Sequence, residues 1–192
     1  MATDVKTQVE QLYVAYFSRP ADTAGLSFWS NVLATNPNGY QVISANFAAS
    51  AEYKSMYANM DNNAVVSAVY QHLFGRPAEA SGVSFWADKL NTHVISVDNM
   101  VTQIAAGAQG TDLYAYTAKV AVAGAFTARV DTADEKTAYS GTAANKIAVD
   151  YIASVKDIGT AAAGMDPGNI DMTIAKIVGS HTGGMDAPIH IV

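Results

Sequence analysis

The chain contains no cysteine. That excludes disulfides, thiolate metal sites and cysteine nucleophiles. Charge is scarce as well: Asp, Glu, Lys and Arg supply 15% of the 192 residues, against roughly a quarter in an average protein. The eleven Lys and Arg are scattered singly and the formal net charge is −6, so electrostatic binding to nucleic acid is disfavoured. No window approaches the roughly 18 consecutive apolar residues of a membrane-spanning helix. Met1 to Glu10 has neither a basic start nor an apolar stretch, so no N-terminal secretion signal is expected. The histidines His72, His93, His181 and His190 show none of the H-x-x-x-H or H-E-x-x-H spacings of metal sites. Ser140 sits in Tyr-Ser-Gly rather than in a nucleophile elbow. No glycine-rich phosphate cradle occurs.

What is present is apolar and repeated. Half of the residues are hydrophobic, enough for one domain or two small ones sharing a core. Tyr13 to Trp29 reads YVAYFSRPADTAGLSFW, and Tyr70 to Trp86 reads YQHLFGRPAEASGVSFW. Arg19/Arg76, Pro20/Pro77, Gly25/Gly82 and Trp29/Trp86 all keep the same 57-residue offset. Two copies of one supersecondary unit are the simplest explanation.

The spacing within each copy predicts helices. Val5, Val9, Leu12, Tyr13, Tyr16 and Phe17 recur at three- and four-residue steps, as one helical face does. Pro20 ends that helix, because the residue before proline is pushed out of the α region. Asp22 can cap a second helix carrying Leu26, Trp29, Val32 and Leu33. Asn36-Pro37-Asn38-Gly39 signals a turn. Shorter helices are expected over 42–47 and 49–60. Val65 to Phe74 and Val83 to Leu90 repeat the first two stripes, and a third helix is expected over 94–106. Further helices are expected over 113–130, 143–158 and 170–178, with a flexible break over 159–168. The expected architecture is an all-α domain over 1–178. Repeat one spans about 5–60, repeat two about 61–110 and C-terminal helices about 111–178. A glycine-bearing linker or tail over 179–192 would lead to a further region.

Few residues carry chemistry. Arg19 and Arg76 either offer exposed guanidinium groups to sugar hydroxyls or anions, or tie their loop together through carbonyls and the neighbouring Asp22 or Glu79. Asp22 and Glu79 suit helix caps or first-turn acids. No loop matches a calcium-binding pattern, although Asp61-Asn62-Asn63, Asp131/Asp134 and Asp166/Asp171 form looser oxygen clusters. No metal ligand set is assigned. Trp29 and Trp86, with Phe28 and Phe85, read as core. Tyr40, Tyr53, Tyr57, Tyr114, Tyr116 and Tyr139 lie off the apolar stripes. An exposed tyrosine gives a sugar both an apolar face and a hydroxyl, so these six, with Arg19 and Arg76, are the candidate ligand-binding residues.

The two motif copies also resemble a known family. Phe17, Arg19, Pro20, Ala21, Asp22, Gly25, Phe28 and Trp29 carry the first match. Phe74, Gly75, Arg76, Pro77, Ala78, Glu79, Gly82, Phe85 and Trp86 carry the second. They resemble a repeat family of uncharacterised helical domains found in large secreted proteins of Gram-negative bacteria, beside RTX-type calcium-binding repeats or in S-layer proteins. Ser18 departs from the family's frequent Gly, and Glu79 from its frequent Asp, which weakens a shared carboxylate role. Val120 to Val155 is similar to the region that follows such repeats, so the resemblance spans most of residues 5–158. It implies a non-enzymatic N-terminal anchoring module of a type I-secreted S-layer protein. Such a module is exported without an N-terminal signal and sits at the cell surface on lipopolysaccharide. Its partners would be lipopolysaccharide or another surface glycan, and neighbouring S-layer subunits. A protein of charge −6 meeting a phosphate-rich surface needs bridging divalent ions or an uncharged contact. The expectation is therefore O-polysaccharide binding in a helical groove lined by Tyr, Asn and Ser, with calcium assisting. Two other readings remain: a protein-contact or lattice-contact module of an RTX-type adhesin, and a glycan hydrolase using two carboxylates such as Asp22 and Glu79.

Overall fold

Helix caps punctuate the chain where the sequence supplies short acidic side chains. Asp4, Asp22 and Asp61 accept from the backbone amides of Thr7, Gly25 and Ala64 at 3.3, 2.7 and 2.8 Å, satisfying first-turn donors that have no helical partner. The computed structural model describes residues 4–182, and its regular structure in that span is α-helical. The first unit comprises α1 (Val5–Phe17), α2 (Thr23–Thr35), α3 (Gly39–Ala49) and α4 (Ala51–Met56). The second comprises α5 (Asn62–Phe74), α6 (Ala80–Asn91) and α7 (Val97–Ala106), followed by the long α8 (Gly110–Arg129). α9 (Ala133–Ala138), α10 (Gly141–Ala153), α11 (Ile158–Gly164) and α12 (Pro167–Thr182) complete the described chain.

The two copies of the motif build the same turn. α1 ends on Ser18 at φ 54° and α5 ends on Gly75 at φ 71°, both left-handed. Glycine accepts that conformation without steric cost, whereas a serine Cβ meets the carbonyl. The motif's second glycine has a packing reason. A methyl group on Gly25 would collide with the Tyr13 hydroxyl, whereas one on Gly82 would make ordinary contact, 3.4 Å from the Tyr70 hydroxyl, so the constraint holds in the first copy.

α1 is the hub. From Leu12 to Phe17 every residue is buried, because α2, α3, α7 and α8 all pack against it. The main core joins Leu12, Tyr16, Ile43, Phe47, Leu73, Met100, Val122 and Ile152. A second cluster of Phe126, Tyr139, Ala148, Ile170, Ile174 and Ile177 lies under α10 and α12. α8 feeds both clusters, and Tyr151 packs against both.

Boundaries differ from the sequence expectation mainly after residue 130. The helix expected to reach residue 158 stops at Ala153. The expected break over 159–168 holds a helix instead. Asp157 accepts from the Thr160 amide while the Thr160 hydroxyl accepts from the Asp157 amide, a reciprocal cap that starts α11. The Asp166 side chain then accepts from the Asn169 amide and Pro167 takes the first helical position. α12 continues through Thr182, past the expected end at Val178. The rest of the expected tail, 183–192 with His190, lies outside the described residues.

Candidate ligand cleft

Arg19 and Arg76 are loop clamps. Arg19 donates from Nε and Nη2 to both Glu52 oxygens at 2.7 and 2.9 Å, and from Nη1 to the Pro20 carbonyl at 3.1 Å. Arg76 repeats this with Asp112 at 2.7 and 2.7 Å and with the Pro77 carbonyl at 2.8 Å. It adds an ion pair to Glu79 at 2.8 Å. In each copy the planar guanidinium fork binds the Arg-Pro turn to an acid in the first turn of a later helix, α4 or α8. An acid is favoured there by the helix dipole. The Arg19 side chain is only 8% exposed. Both arginines, expected as ligand contacts, thus hold the fold through Nε, Nη1 and Nη2. Asp22 caps α2, and Glu79 pairs with Arg76 rather than capping α6.

Four of the six candidate tyrosines are also corrected. Tyr53, Tyr57, Tyr116 and Tyr139 are buried, and burial pushes their phenols above the ordinary value. Tyr53 donates to the Val97 carbonyl, Tyr116 to Gln11 and Tyr139 to Pro20, at 2.7, 2.8 and 2.7 Å. Their positions leave the apolar stripe of one helix but face a neighbouring helix. Tyr40 and Tyr114 are exposed. Phe28 and Phe85 move the other way. Expected in the core, they stand at the surface, 61% and 55% exposed, each set edge-on to the following half-buried tryptophan.

Several residues of the candidate acidic clusters hold the fold. Asp61 caps α5, Asp166 caps α12, and Asp171 accepts from Arg129 at 2.6 and 2.5 Å. Among the described residues no group of three or more His, Asp or Glu is placed to hold a metal ion.

A cleft lies elsewhere, between α1, α2 and α8, and measures about 800 Å³. That is within the roughly 300–1,000 Å³ of ligand pockets. α1 contributes Lys6, Thr7, Glu10 and Gln11, and α2 contributes Thr23, Leu26, Ser27 and Ser30. Both sets follow helical three- and four-residue steps. α8 presents small residues, Ala121, Gly124 and Ala128, and the Thr117 and Thr127 hydroxyls. A Cβ added at Gly124 would have no heavy atom within 4 Å, so this wall is open. Val120, Val130, Asp131 and Lys136 complete the lining.

Glu10 is the unusual member. It is 2% exposed. Its Oε2 accepts from the Ala21 amide at 3.0 Å, which ties α1 to the Arg-Pro turn, while its Oε1 has no hydrogen-bond partner. Burial raises its pKa, and the Thr127 and Ala21 contacts counter this only in part. Thr127 donates to the Ala21 carbonyl at 2.9 Å. Ser30 Oγ is likewise buried without a partner. Sequence reasoning passed over these residues because they are single polar positions on three separate helices.

Fold and cleft together describe an all-α domain of tandem helical units with a ligand-sized groove. A family model described as a domain of unknown function, DUF4214, matches residues 44–109. The matched stretch runs from within α3 to the residue before α8, and so takes in the second copy of the motif and not the first. No curated protein and no solved structure matches the chain. No helix among the described residues is long and apolar enough to cross a membrane.

Proposed function

We propose that this domain is a non-enzymatic cell-surface anchor that holds lipopolysaccharide O-polysaccharide in the α1/α2/α8 cleft, as part of a type I-secreted S-layer protein. The observation that carries the reading is the cleft's lining. Thr7, Gln11, Thr23 and Ser27 side chains give a glycan donors and acceptors, while Leu26 and the small residues of α8 accept its apolar faces. This replaces the expected tyrosine-lined groove. The net charge of −6 makes uncharged O-polysaccharide a better primary contact than the phosphate-rich lipid core. Calcium assists by bridging protein carboxylates to anionic lipopolysaccharide. The test is a pull-down of the purified domain with smooth and with O-antigen-free lipopolysaccharide. Retention on the smooth form alone is expected, and equal retention on both would contradict the reading.

A second reading rests on Phe28 and Phe85. Two exposed rings at equivalent repeat positions, 61% and 55% exposed, suit contact with neighbouring subunits of a lattice or adhesin. Concentration-dependent association that Phe28→Ser and Phe85→Ser abolish would favour it.

A further inference from the structure

The two Arg–acid clamps differ in which partner is sheltered. In the second copy the acid is, with the Asp112 side chain 17% exposed and that of Arg76 34%. In the first the order reverses, with Arg19 8% and Glu52 31% exposed. Glu52 lines a second cleft, of about 680 Å³, between α4 and α10, a volume within the ligand range. α10 lies outside the repeated unit, and its Asn145 Nδ2 donates to Glu52 Oε1 at 3.1 Å. Arg19 gives each Glu52 oxygen one further donor, at 2.7 and 2.9 Å. Oε2 so keeps a lone pair, and the Asn145 amide keeps its second N–H. A half-exposed acceptor and a half-buried donor, both held in place by the clamp, therefore lie next to each other in the lining of one cleft. Two neighbouring sugar hydroxyls match such a pair, because each hydroxyl both donates and accepts. A trans peptide unit does not, because its N–H and C=O point in opposite directions.

The rest of the lining disfavours a charged ligand. Arg19 neutralises Glu52, and Lys146 pairs with Asp150 at 2.9 Å. Burial, aided by Lys119, lowers the pKa of His72, so its imidazole is neutral at pH 7. Met56 and Val149 supply apolar surface, and Thr142 adds an exposed hydroxyl.

We infer that the α4/α10 cleft is a second saccharide site, which takes an uncharged sugar unit through two neighbouring hydroxyls on Glu52 and Asn145. Glu52 accepts from one hydroxyl, Asn145 Nδ2 donates to the next, and the C–H face of the ring lies on Met56 and Val149. The site goes beyond the proposed attachment cleft and shares no lining residue with it, so each stands or falls by itself.

The experiment is an amide NMR titration of the full chain with neutral trimers of glucose, mannose and rhamnose, and with trialanine and a trimer of galacturonic acid. At least one neutral trimer is expected to give saturable shifts of the Asn145 side-chain amide and the α10 backbone. Trialanine and the uronic acid trimer are expected to bind there at least tenfold more weakly. Asn145→Leu, which keeps the Arg19–Glu52 pair, is expected to cut the affinity at least tenfold. Thr142→Trp, which fills the cleft from an exposed position, is expected to abolish the shifts with the unfolding midpoint unchanged, and it carries the test if Asn145→Leu proves unstable. Gly124→Leu, in the other cleft, is expected to leave the α10 shifts as they are. Absence of saturable shifts with every neutral trimer, a preference below tenfold, or undiminished binding in a folded Asn145→Leu or Thr142→Trp protein would overturn the inference. Loss of the α10 shifts in Gly124→Leu would overturn it too, since the signal would then report the α1/α2/α8 cleft. Failure of the α1/α2/α8 reading shows separately, as undiminished binding of smooth lipopolysaccharide by Gly124→Leu.

Discussion

Lys119 shows how much one buried group can impose. It is 1% exposed and donates to the His72 carbonyl at 2.5 Å. Burial, aided by Lys156, lowers its pKa from 10.5 to about 8. The unfolded chain therefore binds more protons than the folded one between pH 8 and 10.5, so stability rises with pH across that window. Below pH 8 the full cost of the buried charge applies, of order 3 kcal/mol. Urea unfolding at pH 7.5 and 9.5 should show wild-type stability increasing, and Lys119→Met should lose most of the increase. Equal slopes in both proteins would contradict this account. Ser18 gives a simpler case. It is buried and left-handed, and its hydroxyl has no partner. Ser18→Gly removes both penalties and should stabilise by about 1 kcal/mol in denaturant titration. The role of Ser18 could be anticipated, because the second copy of the motif has glycine there. That of Lys119 could not, since nothing local distinguishes it from a surface lysine on an Ala-rich helix.

At the scale of elements, the repeated turn is the feature most exposed to test. Both arginines grip an acid on a later helix, but their surroundings differ. The Arg19 side chain is 8% exposed and that of Arg76 is 34% exposed. Removing Arg19 breaks its pair with Glu52 and empties a buried site where its guanidinium lies over the Tyr13, Phe17 and Tyr139 rings, at a cost of about 3 kcal/mol. Removing Arg76 breaks a wetter pair, at about 1 kcal/mol. Arg19→Ala and Arg76→Ala should therefore separate clearly in urea midpoints, and equal losses would show that burial does not set the difference. The sequence displayed α1, α2, α5 and α6 through apolar period, Pro and caps, all local signals. The acids Glu52 and Asp112 were hidden because they lie 33 and 36 residues from their arginines. Six-residue α9 and seven-residue α11 are too short for a period to register. The buried tyrosines were misread because one helix's stripe says nothing of a second helix covering its flank.

For the molecule as a whole, the proposed attachment must be reconciled with a net charge of −6. If uncharged sugar rings in the cleft supply the affinity, raising NaCl from about 0.1 M to about 1 M at fixed calcium shortens the Debye length from roughly 10 to 3 Å and should leave binding to smooth lipopolysaccharide within about twofold. A collapse would point to ion pairing instead. The cleft itself was not visible in the sequence, because α8 meets α1 and α2 only through tertiary packing, across residue separations such as the 106 from Ala21 to Thr127. The central claim is that this groove is the attachment site, and Gly124→Leu tests it most directly. The new side chain meets no atom within 4 Å of its Cβ, and it replaces a mid-helix glycine, which should raise helix stability by up to about 1 kcal/mol. The measurement is the affinity of this variant for smooth lipopolysaccharide alongside its unfolding midpoint. The account predicts that binding falls at least tenfold while the midpoint is unchanged or higher. Undiminished binding by a folded Gly124→Leu protein would contradict it.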